Sequence, residues 1–468
     1  MKTQVMKDAA HEPRVHQGEW TAAIISFVYF FCVLCAYYVV RPVREQFSAA
    51  VGSTNLPWFY LATFIATLIL TPIFAWLSAK YARRIVVPLV YIFFIVCLVA
   101  FIPLFTNQGV ISPKHLGTVF FVWVSVFNLF VVSVFWTFMT DIWRADQAKR
   151  LFPIIAIGGT AGTVVGPVLT RLLVEKIGVA PLLAVSATLL ICALGCVMLL
   201  SKWSARTATA SETLMHQKGV GGGMFDGLKQ IFANPFVGGM AILLLLGDGI
   251  GTVNYALVAD YTGQHFTDPK LRTIFAANVD FMTNVLIIAI QAFFARAILV
   301  RWGVIPAVLI WALGAVVAMS AVVFVADPHA AISGISNADV MSLQSQMGQS
   351  WWGDVQIFMS QMSWVVFALI ITRALAYGML GPAREAMFAA VPRNLRYQGK
   401  NAVDTAVWRF GDLAISTSMN GLRALGMSVG GFAGLAALAG ATAAVVGYKL
   451  GKRVEDKSLR GMEAEAFG

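Results

Sequence analysis

The sequence predicts an all-α protein that crosses a membrane twelve times, in two halves of six helices. Three observations carry this. Of 468 residues, 59% are hydrophobic and only 12% charged, whereas a soluble protein of this length would be about a quarter charged. The apolar residues fall into about a dozen runs, each close to the roughly 20 residues a helix needs to cross a bilayer. A polar stretch over 202–235, containing Gly219, Gly221, Gly222 and Gly223, divides those runs six and six.

Residues 1–17 are polar and precede the first run without a small-residue cleavage site, so they read as a cytoplasmic tail. The first bundle, 18–201, holds helices predicted over 20–46, 55–79, 84–105, 115–141, 151–175 and 180–201. Its fifth helix carries Gly158, Gly162 and Gly166 at every fourth residue, a ladder that lets a neighbouring backbone come close. The same glycines do not form a phosphate-binding loop, since no strand precedes them and no Lys-Ser/Thr follows. After the 202–235 linker, the second bundle, 236–452, holds helices over 236–262, 272–299, 304–326, 356–379, 400–426 and 429–450. Gly247, Gly249 and Gly251 are expected to interrupt the seventh helix around Asp248, with Asn254 and Asp260 beyond, and Gly430, Gly434 and Gly447 stud the twelfth. The 327–355 connection is expected to be periplasmic, with Trp351 and Trp352 at the headgroup level. Residues 453–468 form a second tail.

Orientation follows from the basic residues. With the N-terminus inside, 24 of the 34 Lys and Arg residues fall on the cytoplasmic side, so both termini are expected to be cytoplasmic, in a bacterial inner membrane. That bias accounts for most of the net charge of +11 without any nucleic-acid partner. The five cysteines, including the Cys32/Cys35 pair, lie inside apolar spans and read as packing residues in a lipid-exposed helix. His11, His16, His115, His216, His265 and His329 lie in tails or connections without metal-ligand spacing. No catalytic residue, metal or cofactor is indicated, and the chain is not expected to be an enzyme. A monomer is expected.

The connection after the second helix reads Ala75-Trp76-Leu77-Ser78-Ala79-Lys80-Tyr81-Ala82-Arg83-Arg84. It keeps the leucine and basic residues of the major facilitator loop signature, with alanine where both glycines and the aspartate belong. Arg301-Trp302-Gly303 echoes it after helix eight. With the six-and-six layout, this resembles the major facilitator superfamily, which implies two bundles rocking about a midplane cavity.

Ionisable groups inside spans cost several kcal/mol unless they are used, and four clusters stand out. Arg41, Arg44 and Glu45 fall at i, i+3 and i+4 at the end of helix one, beside Tyr38. They read either as an internal solute site or as an interfacial pair that snorkels outward. Asp248 sits among the helix-seven glycines, and Asp280 enters helix eight either as a cap or as a functional carboxylate. Arg373 lies within helix ten, followed by Arg384 and Glu385. Helix eleven carries Asp404, Trp408 and Asp412 at i, i+4 and i+8, with Arg409 three residues before Asp412. That Arg–Asp pair is either a structural bridge or a lock that solute or a proton opens.

At these clusters the chain resembles the nucleotide transporter family of ATP/ADP translocases and its free-living bacterial relatives. The run from Tyr38 through Arg41 to Arg44 and Glu45 is the counterpart of that family's Tyr-x-x-Leu-Arg-x-x-Lys-Asp. Phe135, Trp136, Phe138, Gln147, Ala148, Lys149, Arg150, Phe152 and Pro153 match its helix 4–5 junction. Pro382, Arg384, Glu385, Gly399, Lys400, Asp404, Arg409 and Gly411 match its later motifs at the same spacing. The departures are Asp412 where the family has lysine, arginine for lysine at Arg44, and Ser125, Val126 and Asn128 where an acid belongs. The resemblance implies a shared fold and an anion-facing cavity.

The expected function is therefore secondary transport of an anionic organic solute, nucleotide-like or phosphorylated, by alternating access. Arg41, Arg44, Arg373 and Arg409, with Tyr38 and Trp408, would bind it. Glu45, Asp248, Asp280, Asp404, Asp412, Lys149, Arg150, Arg384, Glu385 and Lys400 would couple or gate. Exchange and proton symport both remain open, and the lysine-to-aspartate change at Asp412 favours protons. The alternative is a proton-coupled exporter of lipids or amphiphiles, which predicts a solute opening lined by Met and Phe.

Overall fold

The computed structural model describes residues 17–80, 83–107, 112–207, 232–325, 362–389 and 407–466. The first bundle comprises α1 (Gln17–Val51), α2 (Leu56–Lys80), α3 (Arg83–Thr106), α4 (Pro113–Ile142), α5 (Ala145–Ile177) and α6 (Val179–Thr207). The second begins with α7 (Pro235–His265) and α8, which runs Pro269–Ala289, loosens into a π turn (Ile290–Ala295) and resumes over Arg296–Trp302. It continues with α9 (Val304–Val325) and α10, which runs Trp364–Leu375, passes through a second π turn (Ala376–Leu380) and resumes over Gly381–Ala389. α11 (Trp408–Ala424) and α12 (Val429–Ala466) complete it. Eleven of these twelve helices are long and apolar enough to cross a membrane. The described part of α11 is 17 residues, just short of a span. Lys400, Asp404, Trp351 and Trp352 lie outside the described residues, as does most of the 202–235 linker.

Each bundle has its own core. In the first, Tyr29, Phe120, Phe127 and Phe135 are wholly buried, and Tyr29 and Tyr91 share a hydroxyl–hydroxyl bond of 2.7 Å. In the second, Trp311, Met319 and Phe388 are wholly or almost wholly buried. Leu56, Phe59 and Phe121 belong to the first bundle by sequence but pack into the second core, and so hold the two together. Large apolar side chains such as Trp58, Phe293, Val300 and Phe324 point outward, as a lipid-facing surface requires.

The glycine ladder on α5 presses against α1. A Cβ at Gly162 would lie 2.6 Å from the Phe31 carbonyl oxygen, and one at Gly166 2.5 Å from Cβ of Tyr38. Thr170 on the same face donates to the Val39 carbonyl at 3.0 Å. This close seating fixes the rotation of α1 and turns Tyr38 and Arg41 toward the seam between bundles.

Several expectations are corrected. The Arg41–Glu45 cluster does not end α1, which continues through Pro42 to Val51. The helix turns only at Gly52, whose φ of 81° suits a residue without Cβ. α7 is unbroken across Gly247, Gly249 and Gly251. The glycines there serve packing instead: a Cβ at Gly247 would meet Trp311 at 3.1 Å, and one at Gly249 Ile415 at 3.2 Å. Asp280 is not a cap; the α8 cap is Asp268, which accepts from the Lys270 amide at 2.9 Å. Cys32 and Cys35 are buried and not lipid-exposed; the Cys35 backbone lies against the α5 ladder, and Cys32 lies near Cys192 and Cys196 of α6. On α12, Gly430 and Gly434 make no close approach, whereas Gly440, Gly447 and Gly451 pack on α9.

Candidate functional site

We call the end of the bundle where α1 begins the tail side, and the end near Val51 the far side. Between the two bundles lies a cavity of about 810 Å³. α1 contributes Tyr37, Tyr38, Arg41 and Arg44 to its wall, a set spaced three and four residues apart on one helical face. α4 adds Phe121, Ser125 and Asn128, and α7 adds Asp248, Thr252 and Tyr255. Asn284 and Gln291 come from α8, Trp311 from α9, and Arg373, Tyr377 and Arg384 from α10. Trp408 and Asp412 of α11 close the circuit. The lining reaches the tail side at Phe30, Ala156, Arg384 and Trp408.

An ion cluster forms the far-side end of this chamber. Nη1 of Arg41 lies 3.1 Å from Oδ1 of Asp280, and Nη1 of Arg373 lies 3.7 Å from the same oxygen. Asp280 therefore joins α1 of one bundle to α10 of the other. Its side chain is 3% exposed, and its other oxygen, Oδ2, has no hydrogen-bond partner among the described residues. Glu45 pairs with Arg44 at 2.5 Å and lies 3.6 Å from Nε of Arg41. Arg44 also reaches Ser125 Oγ at 3.4 Å and lies over the Phe121 ring, while Arg41 lies over the Tyr38 ring. Three guanidiniums against two carboxylates leave this cluster one net positive charge. Being buried, the charges interact strongly and must stay paired.

Asp412, on the opposite wall, accepts from Thr252 Oγ1 at 2.9 Å, and Asp248 lies against Gly411 of α11. The two π turns of α8 and α10 meet beside the chamber, where Gln291 donates to the Tyr377 carbonyl at 3.1 Å. Such turns widen a helix and often mark functional sites.

The expected site residues thus divide. Tyr38, Arg41, Arg44, Arg373, Trp408, Asp248, Asp412 and Arg384 line the chamber, while Glu45 and Asp280 stand immediately behind its wall. Glu385 pairs with Arg384 at 3.1 Å and is half-exposed. Arg150 lies 3.9 Å from Glu19 at the start of α1, and Gln147 donates to Glu19 at 2.7 Å. That group ties α5 to α1 on the tail side, away from the chamber. Lys149 belongs to α5 and Arg409 to α11.

Tyr37, Tyr60, Tyr255, Asn284, Gln291, Trp311 and Tyr377 line the chamber without having been singled out in the sequence. Asn284 and Gln291, polar residues in mid-span, were the available signal. The far side holds a further feature. Asp260 accepts from Ser53 N at 2.8 Å, from Ser53 Oγ at 2.6 Å and from Arg423 at 3.0 Å. Asn420 donates to the Thr54 carbonyl at 2.7 Å. These bonds latch the α1–α2 turn of the first bundle to α7 and α11 of the second.

No protein-family model matches the chain, and no curated protein matches its sequence. Solved structures do match in fold. The nucleoside transporter NupG superposes with a TM-score of 0.57 at 13% identity, over 93% of this chain and 98% of NupG. A bacterial homologue of the iron transporter ferroportin, in an inward-facing state, gives 0.58 at 14%, over 92% and 98%. The xylose transporter XylE from E. coli, partially occluded and inward open, gives 0.55 at 14%, over 92% and 97%. The chain has a major facilitator-like fold: an all-α polytopic membrane protein of two six-helix bundles.

Proposed function

We propose that this protein is a secondary transporter of an anionic organic solute, phosphorylated and nucleotide-like, which it carries by alternating access. One observation carries the reading: three guanidiniums drawn from both bundles meet at one end of a chamber on the seam. Arg41, Arg44 and Arg373 supply planar forks suited to carboxylate or phosphate oxygens. Tyr38, Tyr60, Trp311, Tyr377 and Trp408 supply flat faces along the same walls, suited to a planar ring. The likeness to solved transporters supports the transport mode, and the resemblance to ATP/ADP translocases supports the solute class.

The chamber wall carries Phe30 and Phe121 but no methionine among the described residues. With the tail side taken as cytoplasmic from the placement of Lys and Arg, the far-side latch seals the chamber from the periplasm.

A thermal-shift screen of the purified protein against nucleotides, sugar phosphates and other organic anions is the direct test. Nucleotides or sugar phosphates should raise the melting temperature, and Arg41→Gln or Arg44→Gln should abolish that rise. Indifference of the wild-type protein to every anion would overturn the assignment. Arg409→Gln is expected to abolish uptake in the same way.

A further inference from the structure

We propose that Asp280 is the coupling group of this transporter: it takes up one proton from the far side, and its neutralisation hands Arg41 and Arg373 to the incoming anion. The proposal rests on the anion-transport reading and answers the question that reading leaves open, exchange or proton symport.

The geometry is two-sided. On its tail side the Arg41–Asp280–Arg373 cluster abuts the main chamber, lined by Arg41 and Arg373 themselves. On its far side lies a second, smaller cavity of about 40 Å³, lined by both carboxylates of the cluster, Glu45 and Asp280, with Tyr255, Thr262 and Arg373. Ala49 near the end of α1, Thr262 near the end of α7 and Phe275 near the start of α8 place that cavity at the far end of the bundle. Its size suits a single water, which occupies about 30 Å³ in the liquid. Both guanidiniums engage Oδ1 of Asp280, leaving buried Oδ2 without a hydrogen-bond donor. A buried carboxylate oxygen without a donor costs free energy, and Oδ2, held by neither arginine, is the oxygen placed to take a proton.

The charged and titratable groups facing Asp280 are Tyr38, Arg41, Arg44 and Glu45 from α1, Tyr255 from α7 and Arg373 from α10. Glu45 stays engaged by Arg44 and Arg41, whereas the partners of Asp280 are the two guanidiniums that span the seam. The step balances simply. One proton binds Oδ2, the carboxylate becomes a neutral acid, and the net charge of the cluster rises from one to two positive. That value matches a doubly charged phosphate monoester. When the anion leaves toward the tail side, Arg41 and Arg373 re-pair with Asp280 and the proton departs into the chamber. Solute and proton thus move in the same direction.

Two readouts test this on the full-length protein. Infrared difference spectra of proteoliposomes between pH 5 and pH 8 need no solute. They should show a protonated-carboxylic-acid band at the acid end that disappears in Asp280→Asn and returns, shifted, in Asp280→Glu. The second readout is the affinity for AMP, followed by thermal shift above pH 7, where the phosphate, with a second pKa of about 6, stays doubly charged. It should tighten toward acid pH by up to about tenfold per pH unit, the slope for one linked proton. Asp280→Asn should flatten the dependence and Asp280→Glu restore it. A wild-type spectrum without the band, or a pH dependence that persists in Asp280→Asn, would overturn the coupling role. Failure of AMP and every other anion to bind, with the band present, would instead overturn the solute assignment and leave a proton-binding carboxylate at the seam.

Discussion

Replacing Asp260 with alanine tests whether the far-side latch is a gate or only a brace. Three contacts disappear: two from Ser53, at 2.8 and 2.6 Å, and one from Arg423 at 3.0 Å. Both ionised side chains are 29% exposed, so the ion pair contributes only about 0.5 kcal/mol. The two Ser53 bonds contribute about 1 kcal/mol each at this exposure. The total, about 2.5 kcal/mol, corresponds to a roughly seventyfold change in an equilibrium constant. If the latch exists only when the far side is closed, that change falls on the closed-to-open balance and leaves the fold itself intact. The assay starts from a background with its five cysteines replaced and adds Thr262→Cys, whose parent side chain is 5% exposed and lines the small far-side cavity. The rate of labelling by a membrane-impermeant maleimide should rise about seventyfold on Asp260→Ala and about twofold on Arg423→Ala. An unchanged labelling rate with a lowered melting temperature would show that Asp260 braces the fold and that the far side does not open there.

Other outcomes follow from packing. Gly162→Val places its Cβ 2.6 Å from the Phe31 carbonyl oxygen and 2.8 Å from the Cys35 amide nitrogen. α1 must then move, so a loss of about 3 kcal/mol or more is expected, read as a lowered melting temperature and aggregation on gel filtration. Gly195→Val, with nothing within 4 Å of its Cβ, should be neutral in the same assays. Asn284→Ala removes a 2.9 Å bond to the Thr163 carbonyl across the seam and should cost about 1 kcal/mol of thermal stability. Cys35, wholly buried against α5, should resist thiol reagents until the bundle melts, in a background where the other four cysteines are replaced.

The twelve apolar runs made the fold legible because a bilayer leaves few alternatives: backbone polar groups within it must be satisfied inside each helix. The α5 ladder was legible for a similar reason, since glycine repeated at every fourth residue in a span has little use beyond close approach. The same rule misled at Gly247, Gly249 and Gly251, where the helix is unbroken and Gly247 makes room for Trp311 and Gly249 for Ile415. Arg373 was legible as a costly charge within a span and Arg41 and Arg44 as an unusual pair at a helix end, but their convergence was not. Which face of α1 meets which face of α8 depends on rotations that no local pattern encodes. Asp280 illustrates this best, for its spacing allowed a cap, and only the tertiary arrangement places it between two arginines from different bundles. Ser53 and Arg423 gave no signal, because the latch joins turns and helix ends distant in the chain.

The position of the ion cluster bears on why buried charge is tolerated at all. A buried ion pair is seldom more stabilising than well-packed hydrophobic side chains of similar size, so stability alone does not account for five charged groups on the seam. Within one bundle such a cluster would be inert. Here Arg41, Arg44 and Glu45 belong to α1 while Asp280 and Arg373 belong to the second bundle, so in the proposed transporter any rocking of the bundles would make or break the Arg41–Asp280 pair. Breaking it without compensation strands a charge, at about 3–5 kcal/mol. A bundle so wired stays closed on its far side until something neutralises Asp280 or replaces it on the guanidiniums. A proton does the first and an anion the second. Either one alone leaves part of the cluster unpaired, and the two together leave none, so under the proposed coupling the electrostatics of the cluster would favour carrying proton and anion as a pair.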